Sequence, residues 1–274
     1  MSLNDAVRYL APGAAAGLAA FAFSRVMIEP LVGIAVAYEG DREHVEAELA
    51  AEHHSHGHEL FSRAVQENLG AAVGIIAFAV VMGVLFAVAH TVIRMMLERR
   101  GVAPDPAGFT LLLAGGAFVA VALVPSLKYP PNPPTVGLDE TVGERSSAFL
   151  TMTALSVVCA IAAVAVGLAV ARRWGVWRAV AASVGGYTAV MLCAAVMLPS
   201  FHEVPGPIAG PDGLLLDGFP AEVLADFRVY TLVNQALMWL IIGVVSAALA
   251  SRVRAAGTNT VGDNDAHRGL SRLP

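Results

Sequence analysis

The chain has 274 residues, 57% of them apolar and only 14% charged, with a formal charge of −5. Ordinary soluble domains carry about 45–50% and about 25%, so this chain has too little charge to cover a water-facing surface, and lipid must supply the apolar surroundings. No basic block is present to neutralise phosphates, which argues against a nucleic-acid partner.

A helix needs about 20 largely apolar residues to cross the hydrocarbon core. The first run, 10–38, is long enough but carries Arg25 and Glu29 and meets Pro30, which should bend it. Arg8 precedes it, yet the run is too long for a signal peptide and lacks a convincing cleavage site, so it reads as a retained span. Five further runs, at 69–93, 108–127, 149–171, 176–198 and 230–250, satisfy the length plainly, and only Arg178 interrupts them with a charge. Gly and Ala are abundant throughout, as close helix packing in lipid requires. The expected architecture is all-α: a polytopic transmembrane helix bundle of about six spans forming one domain over residues 1–255, followed by a disordered polar tail at 256–274. Cys159 and Cys193 fall inside apolar runs and read as small buried side chains rather than a disulfide.

Lysine and arginine set the orientation. With both termini in the cytoplasm, eleven fall on the inner side and five in the outer loops, which follows the positive-inside rule. The long loops, including a His-rich segment at 39–68, then face outward. A weak internal echo accompanies this scheme: VPSLKYP ends the third span and LPSFHEVP the fifth. Each is followed by a Pro/Gly-rich loop, an acidic residue (Glu140; Glu222) and an arginine (Arg145; Arg228), the pattern of a parallel repeat.

The densest chemistry is EHHSHGHE. It places His53, His54, His56 and His58 within six positions, flanked by Glu52 and Glu59, with His44 upstream. Neutral imidazoles bind zinc, copper, nickel and cobalt, and carboxylate neighbours attract a divalent cation. A flexible polar loop that binds metal adventitiously is the bland alternative. Metal identity does not follow, because affinity order favours copper at almost any such site.

Arg25 and Glu29 stand four residues apart on one helix face, as a structural ion pair or part of an ion path. His90, near the end of the second span, is either a metal relay or a hydrogen-bonded interfacial histidine. His202 and Glu203, held between Pro199 and Pro205, suit a mouth site. Asn234 and Gln235 in the last span bond helix to helix or line a polar path. KYPPNPP, residues 128–134, is stiff because each proline fixes its own φ and restricts its predecessor, and it shapes an entrance or serves as a rigid connector. HExxH, Walker A and GxSxG signatures are absent, so an enzyme is not expected.

KYPPNPP followed by Arg145, together with LPSFHEVP and FPAEVLADFR (residues 219–228), resembles the CbtA family of predicted cobalt transporter subunits. Gln235 and Trp239, Glu29-Pro30 and the His-rich first loop fit the same pattern, and the resemblance covers roughly residues 1–255. It implies cobalt uptake linked to cobalamin supply, and a small single-span partner of the CbtB type. The family is generally described with five spans, one fewer than the runs counted here.

The leading expectation is a bacterial inner-membrane permease subunit for a divalent transition-metal cation, with cobalt favoured over nickel or zinc and no tightly bound cofactor. The His-rich loop would gather the ion, His202 and Glu203 would receive it, and Arg25, Glu29, His90, Asn234 and Gln235 form the candidate path. The rival is a membrane-anchored metal-binding or assembly subunit that conducts nothing.

Overall fold

The computed structural model describes residues 3–50, 69–201, 204–211 and 213–270, with side chains at all of these except 3–8, 139 and 252–270. Helices dominate: α1 (Leu3–Phe23), α2 (Glu29–Ala50), α3 (Ala71–Arg99), α4 (Pro106–Phe118), α5 (Val124–Lys128), α6 (Val142–Trp174), α7 (Val176–Met197) and α8 (Ala221–Leu270). The strands β1 (Ile208–Gly210) and β2 (Gly213–Leu216) form one antiparallel hairpin, and among the described residues there is no sheet core. Among the described residues six helical stretches are long and apolar enough to cross a membrane: Tyr9–Ala50, Ala71–Arg99, Pro106–Lys128, Val142–Trp174, Val176–Met197 and Ala221–Ser251. Side chains such as Leu112 (77% exposed) and Val196 (85% exposed) point outward from them. In water so much exposed apolar surface would drive aggregation. Lipid solvates it, and the chain is a multi-pass membrane protein.

The helices outrun the apolar runs that betray them. α6 begins at Val142 and α8 at Ala221, so Arg145 and Arg228 lie inside helices rather than at their mouths. Pro220 precedes α8 and Glu222 occupies its first turn, both favourable at a helix start. Part of the segment expected as a His-rich loop is also helical, since α2 continues to Ala50. At the other end the backbone of α8 stays helical to Leu270, where sequence predicts a polar tail without structure; no proline interrupts that stretch.

Pro30 does not end the first span. The helix widens to a π-helical segment at Ser24–Ile28, where the Glu29 N–H donates to Ser24 O, and then continues. A second π segment, Val119–Leu123, precedes Pro125 by the same offset, with the Val124 N–H donating to Val119 O. A proline removes one donor and crowds the carbonyl four residues back. One wider turn moves the carbonyls aside and lets the helix proceed.

The chain divides into two compact units, 1–20, 73–115 and 237–274 in the first, 21–72 and 116–236 in the second. In the first, small residues bring α1 and α3 together. A Cβ on Gly13 would stand 2.6 Å from Ala79 O, and one on Gly83 would stand 2.8 Å from Gly13 Cα. Ala16 and Ala79 are fully buried beside them. This is the small-xxx-small contact of membrane helices, held by dispersion at close range. In the second unit, α6 and α7 form a hairpin on Gly175, whose φ of 79° favours glycine. Their shared core is Met152, Met191 and Ala194, with Cys159 packed against it. Both cysteines are free, but Cys193 is exposed rather than buried.

Replacing Gly83 with Val should therefore destabilise the protein by about 1–3 kcal/mol through overpacking, read as a lower unfolding midpoint in detergent. Gly74→Ala, where nothing lies within 4 Å, should leave the midpoint unchanged.

Candidate functional site

The proline-rich loop after α5 is clamped at both ends and in the middle, all within the second unit. At its start, Lys128 Nζ donates to Ser200 Oγ at 2.6 Å and Tyr129 Oη donates to Pro199 O at 2.7 Å. The Tyr129 ring lies against Phe201, centroids 6.1 Å apart. Burial raises the Tyr129 pKa above the ordinary tyrosine value, which keeps the hydroxyl protonated and able to donate. In the middle, Arg228 Nη2 on α8 donates to Asn132 Oδ1 at 2.8 Å.

The loop then turns sharply. Val136 N–H donates to Pro133 O at 3.2 Å, closing a turn that puts Thr135 at φ 72°. A β-branched residue is costly there, where glycine or asparagine is usual. Its hydroxyl gains a compensating bond to Ala35 O at 3.2 Å. Val136 enters a buried cluster with Ala35, Phe219 and Leu224. Beyond it Arg145 Nη2 donates to Leu138 O at 3.0 Å. A Cβ on Gly137 would collide with that guanidinium.

The second long loop is tied to the same frame. Phe219 N–H donates to Pro205 O at 3.0 Å, Tyr38 Oη to Asp217 O at 3.0 Å, and Arg42 Nη1 to Gly206 O at 3.0 Å. Tyr38 also meets Phe219 edge-on at 5.3 Å, and Phe23 meets Tyr230 at 6.5 Å. These two ring pairs show that residues 23–38 and 219–230 run antiparallel and side by side. The stretch bearing Arg25 and Glu29 thus lies alongside the stretch bearing Arg228.

The sequence motifs meet, but the two echoed segments differ in local conformation. VPSLK is helical (Val124–Lys128), whereas the equivalent Leu198 is extended and α7 has already ended at Met197. Pro125 follows a π segment inside a span, while Pro199 accepts a bond from the very loop that Pro125 leads into.

The predicted site residues separate into groups. His53, His54, His56, His58, Glu52, Glu59, His202 and Glu203 lie outside the described residues. Arg25 sits exposed in the first π segment and Glu29, half-buried, opens α2. Asn234 and Gln235 are half-buried on α8. His90 belongs to the other unit, where Nε2 stands 3.0 Å from Thr110 Oγ1. Thr110 donates its own proton to Pro106 O at 2.6 Å, so His90 Nε2 carries the hydrogen. The imidazole sits beside Phe86 and Phe109 and borders a cleft of about 170 Å³ with Tyr9, Thr91 and Ser246. Among the described residues no three His, Cys, Asp or Glu side chains converge as a metal site.

Sequence reasoning missed Asn132, Thr135 and Ser156. Ser156, fully buried on α6, donates to Ala120 O of the second π segment at 2.6 Å and accepts from Tyr187 at 2.7 Å. Serine and tyrosine inside apolar runs gave no pattern to notice.

Two changes test the clamp. Asn132→Ala should cost on the order of 1–3 kcal/mol, because it strips a charged donor of its partner. Tyr129→Phe should cost about 1 kcal/mol at neutral pH. The sign of the pH effect follows from a raised folded pKa: the neutral hydroxyl's contribution is intact below the free tyrosine pKa and fades as pH rises through the higher folded value. Alkaline thermal melts should show this loss in the parent protein and a smaller one in the variant.

No curated protein and no solved structure matches the chain. A family model described as "Probable cobalt transporter subunit (CbtA)" matches residues 6–251, a range that takes in both clamped loops, all six spans and the arginines that tie them. The chain belongs to the CbtA family, whose members are described as probable cobalt transporter subunits.

Proposed function

We propose that this protein is a permease subunit of the bacterial inner membrane that takes up a divalent transition-metal cation, cobalt in the first instance with nickel or zinc as competitors. The observation that carries the reading is the family match over residues 6–251 on a chain with six membrane-length helices. Both termini lie in the cytoplasm on this reading, so Glu52–Glu59 faces outward. His53, His54, His56 and His58 capture the ion there, with Glu52 and Glu59 raising its local concentration electrostatically. His202 and Glu203 receive it at the mouth. Arg25, Glu29, Asn234 and Gln235 line the way inward, and His90 serves nearer the inner side. A small single-span subunit of the CbtB type completes the complex. The cation is cargo, and no resident cofactor or catalytic step is invoked.

Purified protein in vesicles holding a metal-sensitive dye, with and without the small subunit, should show cobalt entry. Dye that stays silent in both cases, while the protein still binds cobalt, would leave a metal-capturing assembly subunit as the correct reading. Alanine at His53, His54, His56 and His58 should reduce uptake at low cobalt about tenfold and little at saturating cobalt, as expected for lost capture. A cysteine in place of Ser55 should react with an impermeant reagent on intact cells. Reaction only after lysis would reverse the orientation.

A further inference from the structure

The hairpin of α6 and α7 closes through a single residue, Gly175, and its tip gathers two kinds of side chain. The chain has three tryptophans. Trp239 is buried, but Trp174 and Trp177 stand on either side of Gly175, 54% and 87% exposed, with Val176 exposed between them. Arg172, Arg173 and Arg178 flank the rings and are exposed as well.

The charge of the hairpin is as one-sided as its tip is apolar. No Asp or Glu occurs in the sequence between Glu144 and Glu203, so beyond the first turn of α6 the hairpin carries cations alone. The connector between α3 and α4 shows the contrast. There Arg94, Arg99 and Arg100 are offset by Glu98 and Asp105. Arg94 pairs with Glu98 at 2.8 Å, and Asp105 accepts the Gly108 N–H at 2.7 Å. Arg178 moreover stands in the first turn of α7, the end at which a helix dipole disfavours a cation. Electrostatics within the helix oppose this cation rather than explain it.

Length fixes where the tip lies. α7 has 22 residues, about 33 Å at 1.5 Å each, close to the roughly 30 Å of the hydrocarbon core. Its ends therefore fall where hydrocarbon gives way to headgroups, and Trp177 is its second residue. That is the level at which tryptophan rings settle, apolar body inward and N–H toward water. Arginines beside them reach outward into the phosphate layer, where a guanidinium takes two oxygens of one phosphate. A soluble acidic partner would meet the cations but leave the rings and Val176 unused. A second apolar helix would use the rings and strand the cations.

We propose that the tip is a binding surface for anionic phospholipid, in which Trp174 and Trp177 seat among the upper acyl carbons while Arg173 and Arg178 hold the headgroup phosphate. Zwitterionic lipid offers the same phosphate but cancels it with its own cation, so a preference for anionic lipid is the signature. The bound lipid fixes the depth at which the hairpin sits. This inference goes beyond the permease reading and stands whichever ion the protein moves.

The test uses the full chain in vesicles of phosphatidylcholine and phosphatidylglycerol, in which one lipid or the other carries bromine near the headgroup end of its acyl chains. Bromine quenches tryptophan on contact, and buried Trp239 is a background common to all samples. Quenching should show a preference for phosphatidylglycerol of about fivefold or more. The preference should fall toward parity in about 1 M salt, where charges are screened beyond about 3 Å. Arg173→Gln combined with Arg178→Gln should remove most of it, with an unchanged melting temperature in detergent marking an intact fold. Equal quenching by the two lipids in the parent protein overturns the proposal, as does a preference that persists in high salt or in the double variant. The parent and salt measurements decide the matter even where the double variant unfolds. Two further results name another occupant and also overturn it. Quenching by aqueous iodide and by neither bromolipid puts the rings in water, open to a soluble partner. Loss of the preference on adding millimolar inorganic phosphate makes the site one for a free anion.

Discussion

Inside lipid no water is available to a stray N–H or C=O, so every backbone polar group must find its partner within the protein. The prolines of this chain press against that constraint. Pro30 and Pro125 each stand within a helix long enough to span the bilayer, and each removes a donor from the ladder. The chain answers both in the same way, with a five-residue π segment ending two positions before the proline. At the second segment a third-party donor joins in, as Ser156 bonds Ala120 O and takes its own support from Tyr187. Backbone satisfaction thus reaches across from α6 and α7 to the span that needs it.

The same requirement explains the two long loops. A proline-rich connector has few N–H groups to offer, so it cannot form a ladder and must be fixed by side chains. Lys128, Tyr129, Asn132 and Thr135 do this from within the loop, and Arg145 and Arg228 from the helices below. Extending α6 and α8 beyond their apolar runs is what places those two arginines under the loop. Had the helices begun where hydrophobicity begins, neither would have a rigid base. The strained φ of Thr135 persists because bonds on either side of the turn over-determine it.

These physical origins decide what sequence could disclose. Apolar length is a composition signal, so the six spans were legible and their inner portions were placed well. Helix ends depend on capping and on contacts made far along the chain, so Val142 and Ala221 were not anticipated. Motif residues were legible as motifs: KYPPNPP, Arg145 and FPAEVLADFR do share one unit. What joins them was not, because Asn132 to Arg228 spans 96 residues and no local pattern encodes it. His90 was recognised as a lone polar residue with two readings, and its bond to Thr110 favours the hydrogen-bonded one without touching the other. Ser156 was invisible for a plainer reason. A hydroxyl in a helix is normally silenced by its own backbone, and only the packing against Ala120 and Tyr187 singles this one out.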